Sequence, residues 1–221
     1  MAIMKTIAGF FSARSNDDPI KKYSSLHVRT NSLITLDVTP FLIHDEYLVM
    51  ENPGSGHQVT HIGEHVLHGM NVFKFYIKSD IGNDNSCIQV TECDGEADAI
   101  LFRQIDEIYP QSISDWNDWT GTDQVDGLLQ WEVFTLKNDN DEVVYSRAWE
   151  SDLVNCVEKI VPDDATESPY SFASKMMLYQ RDISEKGSEP FTEYLMVSIE
   201  EEERVCIYVG IDLPMSGLII S

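Results

Sequence analysis

The chain has 221 residues, 43% of them hydrophobic, and a formal net charge of −23 at pH 7. That length supports a well-buried core without help from a disulfide or a structural metal. The charge excludes unassisted binding to DNA or RNA phosphates, which takes clustered lysine and arginine. No apolar run reaches the roughly 20 residues of a membrane-spanning helix.

The chain opens with MAIMKTIAGFFSAR, which lacks the long apolar stretch of a secretion signal. Ile3, Met4, Ile7, Phe10 and Phe11 recur at spacings of three and four, with Lys5 and Arg14 between or after them. That spacing predicts an amphipathic helix over residues 2–14. It would be about 20 Å long, able to lie on a bilayer but not to cross it. Residues 1–30 hold Lys5, Arg14, Lys21, Lys22 and Arg29 against Asp17 and Asp18, a net of +3 that leaves −26 for residues 31–221. Each basic residue near an anionic leaflet contributes about 1 kcal/mol. Residues 1–30 therefore read as a basic amphipathic arm and linker, which either contacts a membrane surface or partner, or packs on its own body.

From residue 32 the texture changes to short strands and turns. Leu33, Thr35 and Asp37 alternate with Ile34, Leu36 and Val38, and Pro40 ends the run. Asn52-Pro53-Gly54-Ser55-Gly56 is a breaker, and the β-branched stretch 58–67 follows it. Turns at His68-Gly69 and Gly82 to Asn85 set off strands at 71–78 and 87–92, a three-stranded antiparallel meander. Residues 97–109 fit a helix or a strand equally well. Ser112 and Asp115 form a capping box, which starts a short helix with Trp116 and Trp119 on one face and Gly121 as its stop. Strands at 130–136 and 143–149 flank Asn138 to Asp141 as a hairpin. Further strands are expected at 174–181, 193–199 and 204–212, the last two around a solvated tip at Glu200 to Glu203. These elements predict a β-rich α+β fold, mainly antiparallel, with few short helices and the N-terminal arm. Residues 31–221 form one acidic β-rich domain, or two subdomains meeting near 121–127.

Cys87, Cys93, Cys156 and Cys206 form no C-x-x-C pair, and read as reduced, mostly buried thiols of a cytoplasmic protein. His61-Ile62-Gly63-Glu64-His65 matches the H-x-x-E-H order of inverted zinc proteases. That chemistry needs a helix, which brings positions four apart within about 6 Å. Val59, Thr60, Ile62 and Val66 with Gly63 favour a strand instead, where His61 and His65 would stand about 13 Å apart. A polar strand face is the expectation, and a metal held by His61, Glu64 and His65 is the lesser alternative. Acidic stretches at Asp94, Glu96 and Asp98 and at Asp139, Asp141 and Glu142 do not follow the EF-hand order. Tyr145, Arg147 and Trp149 fall on one strand face, so Arg147 stacks between aromatics, as a ligand surface or as the edge of a core. No cofactor is expected. Neither a G-x-S-x-G elbow nor a phosphate-binding glycine loop is present, and the balance is against an enzyme.

LFRQIDEIYPQ, SDWNDW, VVYSRAW, KMMLYQR, EYLMVSIEE and GIDL together resemble the YjfK-like family of bacterial proteins, over residues 40–214. That resemblance implies no catalytic residues. It implies a setting beside PspA-like membrane-stress proteins, and so a cytoplasmic accessory or interaction protein, peripheral to the inner membrane. A protein partner is expected and nucleic acid is not. The alternative is an acidic neutralising protein, immunity-like or mimic-like, that steers onto a basic partner through its charge. A metal-dependent hydrolase is the third reading.

Overall fold

The β-branched and aromatic runs between residues 56 and 108 fold as four consecutive antiparallel strands, β2 to β5. The computed structural model describes residues 24–67, 69–79, 85–138, 141–149, 153–162, 168–183 and 191–221. In chain order the strands are β1 (Leu33–Leu36), β2 (Gly56–Leu67), β3 (Met70–Ser79), β4 (Ser86–Cys93), β5 (Glu96–Ile108), β6 (Val133–Asn138), β7 (Asp141–Arg147), β8 (Val154–Pro162), β9 (Tyr170–Asp182), β10 (Thr192–Glu200), β11 (Arg204–Leu213) and β12 (Leu218–Ile220). The helices are α1 (Thr39–Ile43) and α2 (Ile113–Thr120). Pro40 does not end β1 but sits in the first turn of α1, where a missing N–H costs nothing.

The α+β expectation is overturned. Eight strands close into an antiparallel barrel in the order β2-β3-β4-β5-β11-β10-β9-β8, and four more strands extend it. Residues 97–109, which fitted a helix or a strand equally well, fall almost wholly in strand β5 (Glu96–Ile108). The turn before them fixes this. Asp94 and Gly95 both take left-handed conformations, φ 51° and 90°, the geometry that a tight hairpin requires.

Strand β8 closes the barrel. It pairs with the second half of β2, through Gly63↔Ile160, and with the first half of β9, through Cys156↔Ser174. The other halves of those two long strands fork away from it. Leu33 of β1 pairs with Gln58 of β2, and Arg147 of β7 pairs with Tyr179 of β9. At the β2 fork the register slips between Val59 and His61, so Thr60 is the extra residue of a bulge, which bends the strand there.

Alternation then sorts the side chains. Lys74, Tyr76, Cys87, Phe102, Cys156, Glu158, Met176, Met196 and Tyr208 share the lumenal face by register. Leu101, Met177, Leu195, Val197 and Val209 lie on the opposite face and are fully buried. They pack in one core with Phe41, Met50, Leu129 and Tyr145, which come from the segments around α1 and between α2 and β7. Each such side chain contributes about 1.5–3 kcal/mol by burial. Both faces of β10 and β11 are thus covered, which explains their nearly unbroken apolar runs. On β8, by contrast, Asn155, Val157 and Lys159 point outward to solvent. Val28 is fully buried in the core, so the described end of the expected linker is part of the body.

One buried carboxylate pins the covering segment. Glu193 is fully buried on β10. It accepts hydrogen bonds from the backbone N–H of Val49 (2.8 Å) and Met50 (3.1 Å), from the Tyr145 hydroxyl (2.8 Å) and from Arg181 Nε (2.7 Å).

Candidate functional site

A cavity of about 670 Å³ opens at one end of the barrel, lined by residues from all eight barrel strands. That volume suits a small ligand or a few residues of a peptide. The strand registers bring its walls together. His61 of β2 faces Tyr76 of β3, Tyr76 faces Cys87 of β4, and Gln104 of β5 faces Tyr208 of β11. Tyr170 and Phe172, at the start of β9, complete the wall beside β8.

Two carboxylates organise the mouth. Glu158 on β8 is fully buried behind it. Its oxygens accept from Lys74 Nζ (2.8 Å) and from the Tyr76 hydroxyl (2.6 Å). Glu200, at the end of β10, lines the cavity. It accepts from the Tyr208 hydroxyl (2.8 Å) and from Arg204 Nη2 (2.8 Å) and Nε (3.1 Å). Arg204 also reaches Glu107 on β5 through Nη1, so one guanidinium joins two carboxylates.

These surroundings set the protonation states. Burial works against the Lys74 charge, but Glu158 outweighs it and Lys74 is held above its ordinary range. Burial raises the Tyr76 and Tyr208 hydroxyls, and the nearby carboxylates Glu158 and Glu200 respectively raise them further. Burial pushes the Cys87 thiol up to about 12. Cys87 therefore stays a thiol at neutral pH, and it is the thiolate that attacks well. The mouth combines carboxylates, amide and hydroxyl groups and aromatic rings.

A family model described as a protein of unknown function, DUF2491, matches residues 10–218. The chain belongs to this family. The match shows the DUF2491 family and not the YjfK-like naming drawn from sequence. No curated protein and no solved structure matches the chain.

The residues singled out from sequence fall in several places in this DUF2491 chain. His61 and His65 lie on the lumenal face of strand β2, and Glu64 lies on the opposite face, 3.8 Å from Lys159. His61 lines the mouth, its Nδ1 3.1 Å from Thr60 Oγ1. His65 is buried deeper, neither ring nitrogen has a partner, and burial with the Lys74 charge lowers it to about 4. Among the described residues no three His, Cys, Asp or Glu side chains form a group that could hold a metal ion. Tyr145 is fully buried in the outer core rather than on a surface. The arginine over its ring is Arg181, at 5.2 Å from the centroid. Arg147 instead donates to the Leu129 carbonyl at 3.3 Å, and Trp149 packs at the edge of both hydrophobic clusters. Ile3, Met4, Lys5, Ile7, Phe10, Phe11 and Arg14 lie outside the described residues, as do His68, Gly82, Asn83, Asp84 and Asp139.

Sequence reasoning missed the mouth itself. Glu200 is not a solvated tip residue: it is 9% exposed and holds Arg204 and Tyr208. The signal was available in its neighbours, since a tyrosine and an arginine at one face of β11 stand ready for a carboxylate at the end of β10. No helix among the described residues is long and apolar enough to cross a membrane.

Proposed function

We propose that this chain is a binding protein and not a catalyst, and that its ligand seats in the mouth of the barrel. The observation that carries this reading is the convergence of all eight barrel strands on one open cavity of about 670 Å³. Buried charges behind it, Glu158 with Lys74, support the reading, because such pairs add little to stability for their desolvation cost. A ligand that binds only the folded state raises the melting temperature by mass action. The test is a thermal-shift screen of a mixed panel of small molecules on the wild type and on Gln104→Trp, which fills the cavity. Compounds that stabilise the wild type and not Gln104→Trp support the reading. A panel that stabilises both alike, or neither, overturns it.

A second contact is proposed at the N-terminal arm, as an attachment to a membrane surface or to a membrane-associated partner of the PspA-like kind. What supports it is the spacing of Ile3, Met4, Ile7, Phe10 and Phe11 together with the net charge of +3 over residues 1–30. Removing residues 1–14 should abolish co-sedimentation with vesicles containing anionic lipid. Unchanged sedimentation removes the arm from the account.

A further inference from the structure

The mouth presents aromatic rings and the carboxylates of Glu200 and Glu201 beside the donors of Lys78, Asn85, Gln104 and Arg204. Tyr76 and Tyr208 each give their only hydroxyl hydrogen to a carboxylate, Glu158 and Glu200. What they can offer a ligand is oxygen lone pairs and the faces of their rings. Tyr170 and Phe172 add two more rings to the same wall. Arg204, the one guanidinium in the lining among the described residues, is committed to Glu200 and Glu107. Lys78, the other cation there, is exposed at the rim. Ser86 also lines the cavity and is 4% exposed, with no hydrogen-bond partner for its Oγ. Glu201 extends the acidic side of the wall, from a turn in which it and Glu202 both take left-handed backbone. Residues 31–221, with a net charge of −26, draw cations toward a cleft of this kind.

We infer that the mouth takes a cationic group, an alkylammonium or guanidinium, held between the Glu200 carboxylate and the rings of Tyr76, Tyr208, Tyr170 and Phe172. This rests on the mouth being a binding site at all, and it names the class of ligand. Carboxylates supply charge-assisted hydrogen bonds, and aromatic rings attract the same cation through their faces. The cation could reach the mouth as a free small amine or on a basic side chain of a protein.

The test is calorimetric titration of the full chain with four probes: agmatine, butan-1-ol, butyrate, and the blocked tripeptide acetyl-Gly-Arg-Gly-amide. Agmatine or the tripeptide should bind saturably, and the two neutral and anionic probes should not. Affinity should fall about tenfold in Glu200→Gln, the loss expected for one charge-assisted hydrogen bond, and should fall with added salt. Lys78→Glu, at an exposed position, should tighten cation binding, and it keeps the test open if Glu200→Gln fails to fold. Agmatine binding alone would identify a free amine as the source, and binding by the tripeptide at least as tight would identify a side chain. Butan-1-ol or butyrate binding in place of the cations, lost in Gln104→Trp, would overturn the cation assignment and leave the mouth as a site. Cation binding unchanged in Lys78→Glu and in Gln104→Trp would also overturn it.

Discussion

Gly63 on β2 leaves the space that the Glu158 side chain occupies. A Cβ at Gly63 would overlap the Glu158 carboxylate. The pairing explains a glycine in the middle of a strand, where it normally weakens the sheet. Lys74 and Glu158 flank β2 and meet across this gap. Gly63→Ala should therefore cost about 3 kcal/mol in urea unfolding, through overpacking and displacement of a buried charge. A cost under about 0.5 kcal/mol, the size of an ordinary surface change, would contradict the role given to Gly63.

The Lys74–Glu158 pair makes a second prediction. Glu158→Leu alone leaves a buried ammonium without its partner and should destabilise by about 3–5 kcal/mol. Adding Lys74→Met removes the stranded charge and should restore most of that loss. Equal stability of the single and double variants would show that the pair does not act as a unit.

His65 predicts a pH dependence. Burial, then the Lys74 charge, holds it at about 4 against an ordinary 6.5. In the unfolded chain the same imidazole takes up its proton at higher pH. Between those values the unfolded state binds more protons, so stability rises with pH there. The contribution of His65 is full above about pH 6.5 and is lost as pH falls toward 4. Chemical unfolding across that range should show a loss on the order of 2 kcal/mol that is absent in His65→Leu. The same slope in both proteins would contradict it.

The cysteines divide by burial. Cys93 is exposed, and Cys87, Cys156 and Cys206 are buried. Burial raises all three buried thiols, Cys87 and Cys206 to about 12. Iodoacetamide at neutral pH should modify Cys93 in the folded protein and the other three after unfolding. Mass spectrometry of intact protein reads the outcome. Comparable modification of Cys87 would mean that the mouth stabilises a thiolate.

Much of the fold was legible in local sequence. The Ser112–Asp115 capping box forms as expected, with Asp115 N 3.2 Å from Ser112 Oγ and Gly121 closing the helix. The meander at β2 to β4 follows from β-branched and aromatic runs between turn signals, and β10 and β11 from apolar runs on either side of Glu200 to Glu203. What local pattern hid was closure. Strand β8 carries Glu158 at a lumenal position and Val157 at an outward one, the reverse of the usual apolar-in order, so its period was masked. Glu158 can sit inside only because Lys74 and Tyr76, more than 80 residues away, satisfy it. The same holds for Tyr145. Its arginine partner was sought two residues along the strand, at Arg147, but the sheet order places Arg181 of β9 over the ring. The mouth was invisible for the same reason, since it needs the two long-range pairings of β5 with β11 and of β2 with β8.

The central claim is that the barrel mouth binds a ligand. It is tested most directly by amide spectra of the ¹⁵N-labelled full chain during titration with agmatine, butan-1-ol and butyrate in turn. The account predicts saturable shifts with agmatine at Thr60, Gln104 and Tyr208, with the β6–β7 hairpin unmoved. No saturable shift at those three residues with any of the probes would contradict it.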